Sequence, residues 1–317
     1  MTALPPGGGL LLVDKPSGCT SHDVVSRVRR VLAMKRVGHA GTLDPMATGL
    51  LVVAVDRSTR LLGHLALSDK TYLATIRLGV STDSDDADGA VTAVADPSGV
   101  TDVAIGTAMA ALTGDLLQVP SSVSAIKVDG RRAYDRVRAG EQVQLAARPV
   151  TVRRFDLVAA PLRSTDRIDL DVVVDCTTGT YVRSLARDLG AALGVGGHLT
   201  ALRRTRVGPF GLDTAGAGAV DVYAGVPGDR PPVTDELTGR VIAALLPAAD
   251  AVRRAFPVRA VTTEQAVDLG HGRRIEAAGI DGTYAAFDPS GRLIALVADA
   301  GDGSGTARSV FGWQAPG

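Results

Sequence analysis

The chain has 317 residues, 34 Lys+Arg balanced by 34 Asp+Glu, 45% hydrophobic residues and 3% aromatics. That length exceeds one small module and implies a large domain with a smaller one, or two of similar size, and the apolar content supplies a core and excludes a disordered chain. No apolar run reaches the roughly 18 residues of a membrane helix, no leader with a basic flank and cleavage site opens the chain, and Cys19 and Cys176 form neither a disulfide framework nor a metal spacing, so a soluble cytoplasmic protein is expected.

Residues 1–9 are rich in Pro and Gly and are expected to be disordered. Residues 10–13 read as a short buried strand, followed by a turn at Lys15-Pro16-Ser17-Gly18. Thr20 with Asp23 fits an Asp variant of the capping box, opening a helix whose apolar stripe is Val24, Val28, Val31 and Leu32, with Arg27 and Arg30 on the wet side. Strands are predicted over 50–55 and 72–78, an acidic loop over 83–89 and a helix over 104–112. Residues 120–150, rich in Gly, Arg and Gln, form an exposed excursion. Ile168, Leu170, Val172 and Val174 alternate with Asp169, Asp171 and Asp175 in a half-buried strand. After Thr177-Thr178-Gly179-Thr180 comes a helix with Val182, Leu185, Ala186 and Leu189 on its apolar face, which leaves Arg183 off the stripe. Residues 213–235 lack periodicity and read as a loop or insertion, and short segments broken by Gly after Arg253-Arg254 suggest a small β-rich domain.

Charge is unevenly spread. Of the 34 cations only Lys15, Lys35, Lys70 and Lys127 are lysines, and arginines gather in 27–36, 131–154 and 203–206, while Asp83, Asp85, Asp86 and Asp88 gather elsewhere. A neutral total therefore accommodates a basic face for an anionic partner. Several chemistries are missing from the pattern: no phosphate-cradling Gly-Lys-Ser/Thr loop, no dinucleotide fingerprint at Gly194, Gly196 and Gly197, no complete calcium hand around Asp83, no Gly-x-Ser-x-Gly elbow and no ligand-spaced histidines. Neither metal nor cofactor is expected.

The run Gly38-His39-Ala40-Gly41-Thr42-Leu43-Asp44-Pro45-Met46-Ala47-Thr48-Gly49-Leu50-Leu51 stands out. Gly41 and Gly49 permit tight backbone, Pro45 biases Asp44 away from helical geometry, and Asp44-Pro45 equally suits an N-cap and first helical position. Together with Val13-Asp14-Lys15-Pro16-Ser17-Gly18, with Lys70-Thr71-Tyr72 and the 82–89 loop, and with residues 179–190 followed by Leu202-Arg203-Arg204, it resembles the TruB-type tRNA pseudouridine synthases over residues 10–210. The resemblance implies an α+β pseudouridine synthase fold, with a mixed, mainly antiparallel central sheet and flanking helices, over residues 1–252. A small PUA-like β-barrel that binds RNA is implied over 253–317. It implies an isomerase that converts uridine-55 in the T-loop of tRNA to pseudouridine by breaking the N1–ribose bond, turning the base and rejoining it through C5.

By the same resemblance Asp44 is the catalytic carboxylate, acting as nucleophile or as base on the sugar, and Arg183 pairs with it. Tyr72 stacks on the target base, Tyr181 and Leu202 line the uracil pocket, and His39 contacts RNA at the flipped-out site. Lys15, Lys127, Arg131 and Arg132 are expected RNA contacts, the last three in an RNA-clasping excursion. Gln118-Val119-Pro120-Ser121-Ser122-Val123-Ser124-Ala125 departs there from the commoner double-proline, aromatic form. The expected partner is tRNA, through its T-arm and elbow, bound by a monomer with no cofactor and no protein partner. A tRNA-folding chaperone that clamps the elbow without chemistry is the alternative. A glycoside hydrolase is remote, because the motifs nominate no second carboxylate.

Overall fold

A computed structural model describes residues 4–121, 127–128, 131–132, 145–213, 218–223 and 232–313, the 127–128 and 131–132 pairs by their backbone. The large sheet is built from β1 (Gly9–Lys15), β2 (Val37–Ala40), β3 (Thr48–Val55), β4 (Lys70–Leu78), β5 (Gly114–Gln118), β6 (Arg148–Leu157), β7 (Ile168–Cys176), β8 (Gly197–Val207) and β9 (Leu246–Pro247). Its order is β9-β1-β3-β8-β4-β7-β6-β5, with β2 beside β3. Neighbours along this path run antiparallel except β3 and β8, which touch in parallel where Arg203 meets Thr48 and Arg204 meets Gly49. That junction needs Gly49. Its φ is +97°, and a Cβ there would lie 2.2 Å from the Arg204 carbonyl oxygen.

Local chemistry explains the elements. Helix α1 (Ser21–Val31) carries the predicted capping box, with Thr20 and Asp23 each accepting the other's backbone N–H. Strands β1 and β3 are apolar without alternation because both faces are covered. Leu11, Val13, Leu51 and Val53 pack under α1, and Leu10, Leu12, Leu50 and Val52 pack on the other side. Helices α2 (Asp102–Ala111) and α3 (Val182–Ala192) join the core of β4, β7 and β8 through Ile105, Leu185 and Leu189. The polar side of β7 pairs across to β4, where Arg77 holds Asp169 with two bonds of 2.7 and 2.8 Å.

The tail forms a second, five-stranded sheet curled into a half-barrel: β10 (Val258–Ala260), β11 (Ile275–Glu276), β12 (Thr283–Phe287), β13 (Leu293–Asp299) and β14 (Thr306–Gly312), in the order β10-β12-β13-β14-β11. Ala285, Phe287, Leu293, Leu296 and Phe311 belong to the same buried apolar cluster as Leu10, Leu12 and Leu50, so the two sheets share a core.

Three expectations are corrected. Residues 4–8 are ordered against the sheet: the Gly7 carbonyl accepts from Ser58 Oγ at 3.2 Å, and Gly8 lies too close to Val55 O for any side chain. Arg27 is 1% exposed rather than on the wet side, because residues 218–223 cover α1 and its Nε donates to Val222 O at 3.0 Å. Asp44-Pro45 caps no helix; it turns within the loop between β2 and β3. The 213–235 stretch is described only at 213, 218–223 and 232–235, where Val220 bridges Val13 and Val222 and Tyr223 are buried.

Candidate active site

The loop carrying Asp44 is held from beneath by the turn after β1. Lys15 Nζ donates to the carbonyls of Pro16, Cys19 and Pro45 at 2.9, 2.7 and 3.1 Å. Gly18 N donates to Pro45 O at 2.9 Å, and Ser21 Oγ and Leu43 exchange bonds of 3.2 and 2.9 Å. Two motifs far apart in sequence are thus one structural unit. Lys15, expected at the RNA surface, is 0% exposed with three donated hydrogen bonds, so it positions the Asp44 loop and does not face a ligand. Lys15→Met is expected to lower stability by about 3 kcal/mol, since it strands carbonyls that a charged donor served. The salt dependence of RNA binding should not change; denaturant melts and titrations at several ionic strengths check both.

Above this support opens a cavity of about 300 Å³. It brings together five of the residues singled out in sequence: Asp44, Tyr72, Tyr181, Arg183 and Leu202. Asp44 comes from the loop, Tyr72 from β4, Leu202 from β8, and Tyr181 and Arg183 from the start of α3. Arg183 holds Asp44 at two points: Nη2 donates to Oδ1 at 3.0 Å, and Nε lies 3.0 Å from Oδ2 as an ion-pair contact. Its Nη1 reaches Asp86 Oδ2 at 3.3 Å and Ser84 O at 3.0 Å. The guanidinium is 4% exposed, so the residue that looked like a solvated helix arginine is instead the buried link between two carboxylates. Burial pushes the Asp44 carboxyl above its usual range; Arg183 pulls it back and Asp86 adds to the rise. About a third of the Asp44 side chain stays open to the cavity, which leaves a carboxylate oriented by a fixed cation and still accessible.

Helix α3 is itself pinned. Gln118 at the end of β5 accepts from Tyr181 N at 2.8 Å and donates to Tyr181 O at 3.1 Å. Arg187, one turn on, pairs with Asp85 at 3.2 Å. The acidic loop is therefore largely an internal counterweight: Asp85 and Asp86 are buried against Arg187 and Arg183. Tyr72, 7% exposed, has its phenol pKa raised by burial, with Arg204 opposing the rise.

Not every candidate converges on the cavity. His39 lies on β2, paired with Val53, and is not among the lining residues. Burial, then the charges of Arg204 and His22, lower its pKa, and its buried Nδ1 has no hydrogen-bond partner among the described residues. Lys127 and Val128 pair in the backbone with Arg132 and Arg131; the Lys127, Arg131 and Arg132 side chains and most of the 120–150 excursion lie outside the described residues. Two cations in the quoted motifs that were given no role, Lys70 and Arg204, also line the cavity. Strand parity identifies Arg204: it stands two residues beyond Leu202 and so faces the same way, whereas Arg203 points outward to Asp14, at 3.0 and 2.7 Å. Among the described residues, no group of three His, Cys, Asp or Glu has the geometry to hold a metal ion.

Comparison with known proteins places this chain in a family. Residues 29–182 match the family described as TruB family pseudouridylate synthase (N terminal domain). Residues 183–222 match the tRNA pseudouridylate synthase B C-terminal domain, and residues 256–312 match tRNA Pseudouridine synthase II, C terminal. Proteins named tRNA pseudouridine synthase B are similar along their length: that of Corynebacterium aurimucosum is 55% identical over 293 residues, 92% of this chain and 93% of the relative. That of Mycobacteroides abscessus is 53% identical over 293 residues, with the same coverage of 92% and 93%. In fold, the chain resembles the archaeal box H/ACA sRNP Nop10-Cbf5 complex, with a TM-score of 0.67 and 24% identity over 97% of this chain and 86% of that one. It also resembles a Cbf5-Nop10-Gar1 complex, with a TM-score of 0.66 and 26% identity over 94% and 82%.

Proposed function

The chain belongs to the TruB family of pseudouridylate synthases, and from that premise we propose that it converts uridine-55 in the T-loop of tRNA to pseudouridine, with Asp44 as the catalytic carboxylate. The observation that carries this reading is the two-point Asp44–Arg183 contact at the wall of a cavity also lined by Tyr72, Tyr181 and Leu202. A space of about 300 Å³ takes one nucleoside and not a stacked helix, so the target base must leave its stack, at a cost of a few kcal/mol. Tyr72 supplies an aromatic face for the base and a phenol for the C5 proton; Tyr181 and Leu202 bound the ring, and His39, beside the Asp44 loop, contacts the RNA around the extruded nucleotide.

In this reading the ionised Asp44 either attacks C1′ or removes a proton from the sugar, and Arg183 keeps it aimed. The tail, residues 253–317, and the basic excursion at 120–150 grip the T-arm and elbow of the tRNA. The protein acts as a monomer in the cytoplasm. The test is incubation of the purified protein, with no metal or cofactor added, with unmodified tRNA, followed by chemical labelling and primer extension. A stop at uridine-55 supports the reading. Tight, salt-sensitive binding without product overturns it in favour of a clamp. Replacing Lys127, Arg131 and Arg132 with Ala is expected to flatten the slope of log Kd against log salt by about 0.7–0.9 for each phosphate no longer neutralised, measured by filter binding.

A further inference from the structure

Lys70 and Arg204 are buried cations that the roles above leave unused. Lys70 is 6% and Arg204 1% exposed, and both line the cavity. Lys70 Nζ donates to the carbonyls of Ala66 and Ser68 at 3.1 and 2.6 Å; Arg204 donates from Nε to Leu50 O at 2.8 Å and from Nη2 to Gly41 O at 3.0 Å. Among the described residues neither is paired with a carboxylate. They converge on one point: a Cβ on Gly41 would sit 3.4 Å from Arg204 Nη1 and 3.6 Å from Lys70 Cε, and Gly41, at φ +78°, has none. Arg204 also stands directly opposite Tyr72 across the β4–β8 ladder.

Backbone carbonyls need donors, but a neutral glutamine would serve them. Two net positive charges taken out of water are costly unless an anion answers them. A phosphate is a poor fit, because it rides on a solvated backbone and these groups are recessed behind the Asp44 loop. The group that enters that depth is the base. On the isomerase reading, on which this inference rests, breaking C1′–N1 leaves the bond's electron pair on N1. The released uracil then carries one negative charge spread over N1, O2 and O4. Asp44 loses its own charge in the same step, to an ester with C1′ or to a proton from the sugar. Negative charge thus moves from the Arg183 side of the cavity to the base. When C5 bonds to C1′, the C5 proton leaves and N1 regains one.

We propose that Lys70 and Arg204 form a cationic floor that stabilises the detached uracil anion while it turns between its N1-linked and C5-linked positions. Donors aimed where charge develops act without reorganising, and loss of one such donor costs about 10²–10³ in rate. Burial, then the neighbouring Arg204, lower the Lys70 pKa to about 8, consistent with a cation awaiting a counter-charge.

The test is single-turnover kinetics with excess protein on a T-arm stem-loop, using Lys70→Met and Arg204→Lys, with Lys70→Arg as the charge-preserving control and thermal melts to verify folding. Substrates carry uridine, 5-deuterouridine or 5-fluorouridine at the target. Lys70→Met is expected to slow product formation about 10²-fold with RNA affinity unchanged and no deuterium effect, and Lys70→Arg to recover most of the rate. On 5-fluorouridine, which has no C5 proton to lose, the readout is loss of the N1–C1′ link rather than pseudouridine, and there the Lys70→Met defect should shrink by about tenfold because the fluorine already stabilises the anion. Arg204→Lys, which keeps the charge and loses the planar group that spans Leu50 O and Gly41 O, should fall between Lys70→Met and wild type. An unchanged rate in Lys70→Met overturns the proposal. Loss of affinity would reassign the cations to phosphate binding. A primary deuterium effect in Lys70→Met would reassign them to Tyr72. No product from wild type would sink the isomerase reading itself, a different outcome from any of these.

Discussion

Asp44→Asn is expected to lower pseudouridine formation by about 10⁴-fold or more while tRNA binding persists, the pattern of a residue whose interaction matters only in the transition state. The substitution preserves size but removes the chemistry twice over. A carboxamide is neither a nucleophile nor a base at neutral pH. Its NH₂ also faces one of the two Arg183 donors, so half of the two-point contact becomes a donor–donor contact. Mapping product by primer extension beside a filter-binding titration checks both halves. Equal loss of binding would mean that Asp44 holds the RNA or the loop, and residual activity near wild type would remove it from the reaction.

Arg183→Met carries the second large effect, and it has two readouts. The guanidinium joins Asp44 to Asp86 and is 4% exposed, so its removal leaves the buried Asp86 and the partly open Asp44 without their shared cation. Breaking a buried pair of this kind costs about 3–5 kcal/mol of stability, visible as a lower denaturation midpoint. The pH profile moves as well. The reaction needs ionised Asp44, whose pKa burial already raises above 3.8 and Arg183 pulls down. Activity therefore falls as pH drops through that raised value. Without Arg183 the opposing pull is gone, and the acid limb shifts to higher pH. Arg183→Lys keeps a positive charge but not the two-pronged geometry. It should hold the acid limb near the wild-type position and lose about 10²-fold in rate through misorientation. If both variants keep the wild-type limb, the Arg183 contact does not govern Asp44 ionisation.

Arg183 and the proposed Lys70–Arg204 floor stand at opposite ends of one charge displacement. Arg183 holds the negative charge on Asp44 before the bond breaks, and Lys70 and Arg204 face the cavity into which the base carries it. Such a division explains why the cavity holds two kinds of buried cation, one paired with carboxylates and one held on backbone carbonyls.

Elements set by neighbours in the chain were legible from residue order alone. The Thr20–Asp23 capping box is a contact over three residues, the Ile168-to-Val174 alternation is a property of one strand, and the apolar β3 is a continuous run; each appears as read. The position of Asp44 in its Gly-rich, Pro-bearing loop was likewise visible in the motif, as was its link by resemblance to Arg183 and Tyr72.

What the chain order could not reveal is which polar groups become buried, because that depends on what is laid over them from far away. Arg27 has the spacing of a wet helix face and is covered by a segment 195 positions on. Lys15 has the composition of a surface turn and ends under the Asp44 loop, 30 residues away, with three carbonyls around it. Asp85 and Asp86 read as a solvated acidic loop until α3 presents Arg187 and Arg183 to them. Lys70 and Arg204 become a pair only because β8 approaches β4 on one side and β3 on the other, at a parallel junction that Gly49 permits. Periodicity records which way a side chain points relative to its own backbone. Whether that direction is water, core or cavity is decided by long-range pairing, and for charged groups that decision changes both their energy and what they can do.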